Sequence, residues 1–123
     1  MQRLLKLLLL AAVALSFAAT AAFAHAFLDK ATPGVGTTVV LSPSELKLTF
    51  TQKIVPAFSG VRIAAIGGKP IPSDKAVGDH ANPKVLHVHL LHPLRPGTYV
   101  VTWHVVSVDT HRTQGTYKFT VAH

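Results

Sequence analysis

Short runs of alternating apolar and polar residues dominate the chain after residue 24, and they constrain its fold more than any other feature. In the run 44–52, Leu46, Leu48 and Phe50 point to one side, and lysine and threonine residues point to the other. This two-residue period is that of a β-strand with one buried face. The pattern therefore predicts a protein built from strands.

Four further runs repeat the alternation, weakly in 60–66 and strongly in the other three. The strong apolar rows are Leu86, Val88 and Leu90; Tyr99, Val101, Trp103 and Val105; and Tyr117, Phe119 and Val121. Segments rich in Pro and Gly separate the runs, and none after residue 24 keeps a helical period. We predict an all-β fold, an immunoglobulin-like antiparallel β-sandwich or Greek-key barrel of about seven strands, with Trp103 and Phe50 in the core.

Residues 1–24 have the layout of a secretory signal peptide. Arg3 and Lys6 precede an apolar run over 7–15, and the segment closes on Ala22-Phe23-Ala24, a small-residue cleavage site. A membrane anchor is the alternative, but a spanning helix needs about 20 apolar residues. We predict a cleaved signal peptide over 1–24 and one domain over 25–123. Cleavage after Ala24 makes His25 the first residue, whereas cleavage after Ala21 leaves it internal.

Composition excludes some classes of function. The chain carries a formal net charge of +7, and loss of Arg3 and Lys6 with the leader reduces it to +5. This balance can favour an anionic partner, but the basic residues are scattered, so we predict no nucleic-acid binding. The chain has no cysteine, so neither a disulfide framework nor a lipid-anchored cysteine is available and the exported domain depends on its core.

His25 and the segment 107–115 are the strongest candidates for chemistry among the eight histidines. A first-residue histidine offers its α-amine and a ring nitrogen, and His111 and Asp109 would add a nitrogen and an oxygen. In an extended chain, residues 109 and 111 project to the same side. This tetragonal set suits Cu(II), although Zn(II) stays possible. The alternative is an aspartate that caps a turn beside an exposed histidine.

His87 and His89 form a second candidate pair on the predicted strand 84–90. Their spacing points both rings to one side and can bind a metal. They also lie opposite an apolar row, which is the pattern of a solvent-exposed face. We favour the exposed face and leave a weak second metal site open.

Several segments together resemble the CopC family of periplasmic copper-binding proteins. They are His25 with ATPGVGTTV shortly after it, LKLTFTQKIVPAFSGVRI at 46–63, PGTYVVTWHVVSVDTH at 96–111 and GTYKFTV at 115–121. The specific element is the W-x-V-V-S-x-D-x-H run, which ends in Asp109 and His111. The resemblance covers nearly all of residues 25–122.

The resemblance implies one Cu(II) ion in a histidine brace. In that arrangement His25 supplies its amine and a ring nitrogen, His111 the third nitrogen, and Asp109 lies near an axial position. Two departures affect this site: Gln52 stands where several relatives have Glu, and Arg112 where many have Pro. Some members also bind Cu(I) through a methionine-rich loop. The only methionine here is Met1, so we predict no high-affinity Cu(I) site.

The predicted function is a periplasmic Cu(II) carrier or buffer for copper homeostasis and resistance, not an enzyme. Relatives act with the inner-membrane transporter CopD, which the resemblance suggests as a partner. Two alternatives remain: a copper-dependent oxidase using the same brace, and a metal-free immunoglobulin-like adhesion module. An oxidase of the polysaccharide type needs a flat aromatic surface, and most aromatic residues here fall in the apolar rows of strands.

Overall fold

The computed structural model describes residues 25–123, and the predicted signal peptide, with Met1, lies outside the described residues. The described chain contains nine strands and one 3-10 turn at Pro56–Phe58. The strands are β1 (Leu28–Thr32), β2 (Thr38–Val39), β3 (Glu45–Phe50), β4 (Gly60–Ala65), β5 (Pro70–Ile71), β6 (Val77–Gly78), β7 (Val85–His89), β8 (Gly97–Val106) and β9 (Arg112–Val121). Within this described part, no helix has the length and apolar character needed to cross a membrane.

The strands form two sheets, one in the order β1-β3-β7-β6 and the other in the order β2-β9-β8-β4-β5. Pairing is antiparallel except between β2 and β9, where Thr38 and Val39 run parallel to Thr120 and Val121. The predicted all-β sandwich is confirmed, with one parallel pairing in place of a wholly antiparallel arrangement.

The core lies between the two sheets and consists of the apolar rows that the alternation predicted. On β3, Leu46, Leu48 and Phe50 are at most 1% exposed. The rows of β8 and β9 face them, and the Phe50 and Trp103 rings meet edge to face with centroids 5.2 Å apart. The prediction that both aromatics pack in the core is therefore confirmed. The buried members of the opposing rows are Tyr99, Val101, Trp103, Val105, Tyr117, Phe119 and Val121.

The structure differs from the prediction where pairing extends strands beyond their apolar rows. β9 begins at Arg112 rather than near 115, because residues 112–114 pair with 106–104 of β8. The β8–β9 connection is therefore only residues 107–111. The short strands β5 and β6 fall within or beside segments that Pro and Gly marked as turns.

Two inward-facing positions on β9 have special surroundings. A Cβ at Gly115 would lie 2.6 Å from the Trp103 ring, so glycine allows the indole to pack against the strand backbone. Two residues further along, the hydroxyl of Tyr117 is buried with no hydrogen-bond partner among the described residues. Burial raises the pKa of this phenol above its ordinary value.

Candidate metal centre

The connection between β8 and β9 is a tight turn organised by Ser107, which is 1% exposed. The backbone N–H of Ser107 donates to the carbonyl oxygen of His111 at 2.9 Å, and the N–H of Thr110 donates to the carbonyl of Ser107 at 2.8 Å. Thr110 has a φ of 73°, which lies in the left-handed region that a β-branched residue rarely adopts. The segment is not the extended chain that the sequence argument assumed, so that argument for the Asp109 and His111 pairing was wrong.

Asp109 and His111 nevertheless meet, because the turn brings their side chains together. His111 Nδ1 lies 3.1 Å from Asp109 Oδ2, and both side chains are about half exposed. The other carboxylate oxygen of Asp109 accepts a hydrogen bond from the Ser107 hydroxyl. Hydrogen bonding by Ser107, aided by the nearby His111, lowers the pKa of the Asp109 carboxyl below its ordinary value.

Residues 25–27 are held against this turn by contacts with both sheets. The Thr113 hydroxyl on β9 donates to the carbonyl of Ala26 at 2.5 Å, and Ala26 is completely buried. After the end of β3, the Thr51 hydroxyl accepts from the N–H of Phe27 at 3.0 Å. The N–H of Thr51 also donates to the carbonyl of Phe27 at 2.8 Å. These bonds place His25 at the end of the sandwich where β3 ends and β9 begins.

The rings of His25 and His111 are neighbours at that end. Their centroids are 4.7 Å apart and their planes are inclined at 72°. His25 is half-buried and His111 is exposed. Two imidazoles this close can present nitrogen lone pairs to one ion after small rotations of their side chains. The three residues singled out from the sequence thus lie together: His25 beside His111, and His111 beside Asp109.

Side chains alone do not complete a metal site in this arrangement. Among residues 25–123, no three histidine, aspartate or glutamate side chains are arranged so that they could hold an ion. The missing donor in the predicted set is the α-amine of His25, which exists only after the preceding peptide bond is cleaved. The assignment of His25, Asp109 and His111 as copper ligands therefore stays a prediction.

The two departures from the family pattern flank the site. Gln52 is half-buried and directly follows Thr51, whose hydroxyl binds Phe27. Arg112 is exposed and directly follows His111, where it opens β9 opposite Val106.

His87 and His89 have different surroundings. His87 Nδ1 lies 2.5 Å from Glu45 Oε1, and its Nε2 lies 2.6 Å from Asp79 Oδ1. Hydrogen bonds to Asp79 first and Glu45 second raise the pKa of His87 above its ordinary value. With both ring nitrogens engaged by carboxylates, His87 has no nitrogen left for a metal. His89 is exposed, as the predicted solvent-facing side requires.

Sequence reasoning missed this second cluster. Hydrogen bonds from His87 and from the backbone N–H groups of Ala81 and Asn82 lower the pKa of Asp79 well below its ordinary range. Glu45 and His87 lie on the adjacent strands β3 and β7. In the register of this pair, Lys47 is opposite His87. Alternation alone puts Glu45 and His87 on outer faces, but only the pairing register brings them together. Four further histidines, His80, His92, His104 and His123, are exposed.

The fold and the site define the class of protein: a small β-sandwich of two sheets with two neighbouring histidine rings at one end. Comparisons with known proteins identify the family. A family model described as the CopC domain matches residues 28–122. Protein YobA of Escherichia coli strain K12 is 37% identical over 112 residues, which are 91% of this chain and 90% of that protein. The chain belongs to the CopC family, and the resemblance seen in the sequence is confirmed.

Two solved structures share the architecture. CopC from Methylosinus trichosporium OB3b has a TM-score of 0.74 and 36% identity, over 80% of this chain and 94% of that one. PcoC from Escherichia coli, described as a methionine-rich copper resistance protein, has a TM-score of 0.72 and 31% identity, over 80% of this chain and 99% of that one.

Proposed function

We propose that the protein is a periplasmic Cu(II) carrier or buffer that takes part in copper homeostasis and resistance. The single observation that carries the proposal is the pair of His25 and His111 rings, whose centroids are 4.7 Å apart. Membership in the CopC family supports copper as the cargo. The signal-peptide layout of residues 1–24 supports export.

One Cu(II) ion is held by a histidine brace. The α-amine and ring of His25 and the ring of His111 supply three nitrogens, and the Asp109 carboxylate supplies an oxygen near an axial position. Imidazole and amine nitrogens with a carboxylate in tetragonal arrangement suit Cu(II). The amine has an ordinary pKa of about 8, so binding at neutral pH releases a proton and the affinity falls as the pH drops.

The contacts of residues 26, 27 and 111 support a site that is organised before the ion arrives. Thr113 and Thr51 hold the backbone next to His25, and the turn around Ser107 holds the backbone of His111. Contacts that fix the orientation of metal-binding residues raise the affinity. The partner that receives the ion is an inner-membrane transporter of the CopD type.

The defining experiment compares two forms of the apoprotein that differ only at the amino terminus. One is purified after export and confirmed by mass spectrometry to begin at His25, and the other retains one extra residue ahead of His25. Cu(II) electron paramagnetic resonance of the first form should show an axial spectrum with nitrogen hyperfine structure, altered in the second. Identical spectra would exclude the α-amine as a ligand.

Single substitutions test the remaining ligands. His25→Ala and His111→Ala should weaken Cu(II) binding by more than the roughly 10- to 100-fold that loss of a merely orienting residue costs. His104→Ala, which removes another exposed histidine, is the matched control and should leave the affinity unchanged. If His104→Ala weakens binding as much as His111→Ala, the brace assignment is wrong.

The ion is Cu(II) rather than Cu(I), because soft thioether and thiolate ligands select Cu(I). The chain has no cysteine, and its single methionine is Met1, which leaves with the signal peptide. Competition with a Cu(I)-specific chelator should therefore reveal no tight Cu(I) binding by the exported protein. Catalysis is tested separately by ascorbate-driven oxygen consumption on a panel of polysaccharides, which should not exceed that of free copper.

A further inference from the structure

The outer face of the five-stranded sheet has an unusual distribution of charge. Arg62 lies between buried Val61 and Ile63, and Lys118 lies between buried Tyr117 and Phe119. The alternation of strand residues therefore directs both basic side chains away from the core. His104 and Arg112 are exposed on the same face, nearer the His25 end.

These side chains follow the pairing register, with one lysine, arginine or histidine in each of four successive cross-strand rows. The rows are Ala64, Val100 and Lys118; Arg62, Thr102 and Thr116; Gly60, His104 and Gln114; and Val106 with Arg112. Successive rows are two residues apart along the strand, or about 6.8 Å. An extended polypeptide with an acidic residue at every second position repeats at the spacing of these rows, and the basic side chains would reach it from three strands, β9, β4 and β8.

No carboxylate interrupts this face. Asp29 and Glu45 lie on β1 and β3 of the other sheet, and Asp74 and Asp79 flank β6 at its edge. The fifth acidic residue, Asp109, lies in the β8–β9 turn. The formally charged side chains on this outer face are therefore all basic, whereas the other outer face carries the paired carboxylates of the His87 cluster.

The cationic face ends in an open groove beside the proposed metal centre. Phe58, which is 68% exposed, lines the groove together with His104, Thr110, Arg112 and Gln114. Thr110 and Arg112 immediately flank His111, so a chain lying in the groove reaches the proposed ligands. A concave surface suits a polypeptide better than a planar bilayer, and three formal cations make a weak membrane anchor.

We infer that this face is the docking surface for an extended acidic segment of the protein with which copper is exchanged. The carboxylates of such a segment meet Lys118, Arg62, His104 and Arg112 in turn, and an apolar side chain covers Phe58. Charge complementarity of this kind guides association and fixes the register of the partner. The inference rests on the proposed function only in naming copper exchange, because the charge pattern exists without the ion.

The test titrates the apoprotein, labelled with nitrogen-15, with an octapeptide in which glutamate alternates with threonine and the last residue is leucine. Amide shifts in nuclear magnetic resonance spectra should concentrate at 58, 62, 102–104, 112–114 and 118. A peptide with lysine in place of glutamate should produce none. Shifts that are absent, scattered, or concentrated on the four-stranded sheet would overturn the inference, as would binding to phosphatidylglycerol vesicles in place of the peptide.

Charge-reversal variants separate the surface from net charge. Arg62→Glu combined with Lys118→Glu should weaken peptide binding at least about tenfold, because like charges then face each other. Lys30→Glu combined with Lys84→Glu makes the same change in net charge on exposed residues away from this face, and should change binding less than about twofold. Equal losses would show that only net charge matters.

His25→Ala distinguishes a failure of this inference from a failure of the proposed function. The variant should bind the acidic peptide as the unaltered apoprotein does, since His25 lies outside the docking face. Peptide binding without a copper brace would support the docking face and contradict the proposed function. A copper brace without peptide binding would support the proposed function and contradict the docking face.

Discussion

The Thr113 hydroxyl donates a hydrogen bond of 2.5 Å to the carbonyl oxygen of Ala26, a residue 87 positions earlier in the chain. Ala26 is fully buried, and His25 is its immediate neighbour. The bond therefore connects β9, which begins directly after His111, to the residue that follows the other histidine of the proposed brace. The bond between Thr113 and Ala26 therefore helps to set the distance between the two rings, although neither ring takes part in it.

Replacing Thr113 with valine keeps the side-chain shape and removes the donor. The carbonyl of Ala26 then loses its partner, and such a loss costs about 1–3 kcal/mol for a buried group. We expect Cu(II) affinity to fall about tenfold, the effect of losing a residue that orients a ligand. Isothermal titration of protein that begins at His25 measures the change. Thr113→Ser, which keeps the hydroxyl, should restore most of the affinity, and equal affinities for all three proteins would contradict the role of the bond.

The His87 cluster should make the stability of the apoprotein depend on pH. Asp79 and Glu45 raise the pKa of His87 in the folded protein. The stability that protonated His87 contributes is therefore fully present below its unfolded pKa of about 6.5, and it is lost as the pH rises through the folded pKa. Lys47 also faces this group across the strand pair and opposes the protonated ring. The melting temperature should therefore fall as the pH rises above about 6.5.

His87→Gln should flatten that part of the pH profile of the melting temperature. His89→Gln changes an exposed histidine two residues along the same strand, and should leave the profile as it is. A profile that falls equally steeply in His87→Gln would exclude the cluster as its source.

At acid pH, Asp79 makes the stability depend on pH in the opposite direction. Asp79, whose pKa is lowered mainly by its bond to His87, stabilises the fold above its unfolded pKa and loses this effect as the pH falls.

The same cluster leads to a prediction about copper stoichiometry. Both ring nitrogens of His87 contact carboxylates, so the pair His87 and His89 cannot act as a two-histidine chelate without breaking those contacts. Changing both residues to alanine should leave tight Cu(II) binding at one ion per chain, as measured by titration and metal analysis. A loss comparable to that of His25→Ala would move the tight site to β7.

Gly115→Ala should destabilise the fold through the core. The added methyl carbon would lie 2.6 Å from the Trp103 ring, and overpacking of this kind costs about 1–3 kcal/mol. Chemical denaturation followed by Trp103 fluorescence measures the change, since this is the chain's only tryptophan. Thr116→Ala, at the exposed neighbouring position, should stay within about 0.5 kcal/mol of the unaltered protein.

The inner faces of the long strands could be predicted from the sequence because each is a local pattern with a period of two. Leu46, Tyr99 and Phe119 are buried as their rows require. The pairing order could not be predicted, because register depends on residues far apart in the chain. This is why the contact between Glu45 and His87 was missed.

For the candidate site too, the sequence pattern indicated which residues to consider but not their geometry. The residue types and the W-x-V-V-S-x-D-x-H run make Asp109 and His111 candidate ligands, but the extended geometry assumed for them is wrong. A turn around the buried Ser107 brings them together, with Thr110 in the left-handed region. Alternation cannot predict such a turn, since it depends on bonds from one hydroxyl to the next residues in the chain. The anchoring of Ala26 by Thr113 is a long-range contact of the same kind as strand register.

Residues 25–27 are bonded at one end of the sandwich to Thr51, which follows a strand of the four-stranded sheet, and to Thr113 of the five-stranded sheet. An ion shared by His25 and His111 would therefore act as a cross-link between the two layers. Binding of copper there would change how easily the layers separate at that edge, so the copper-loaded protein would differ from the empty one in rigidity as well as in metal content.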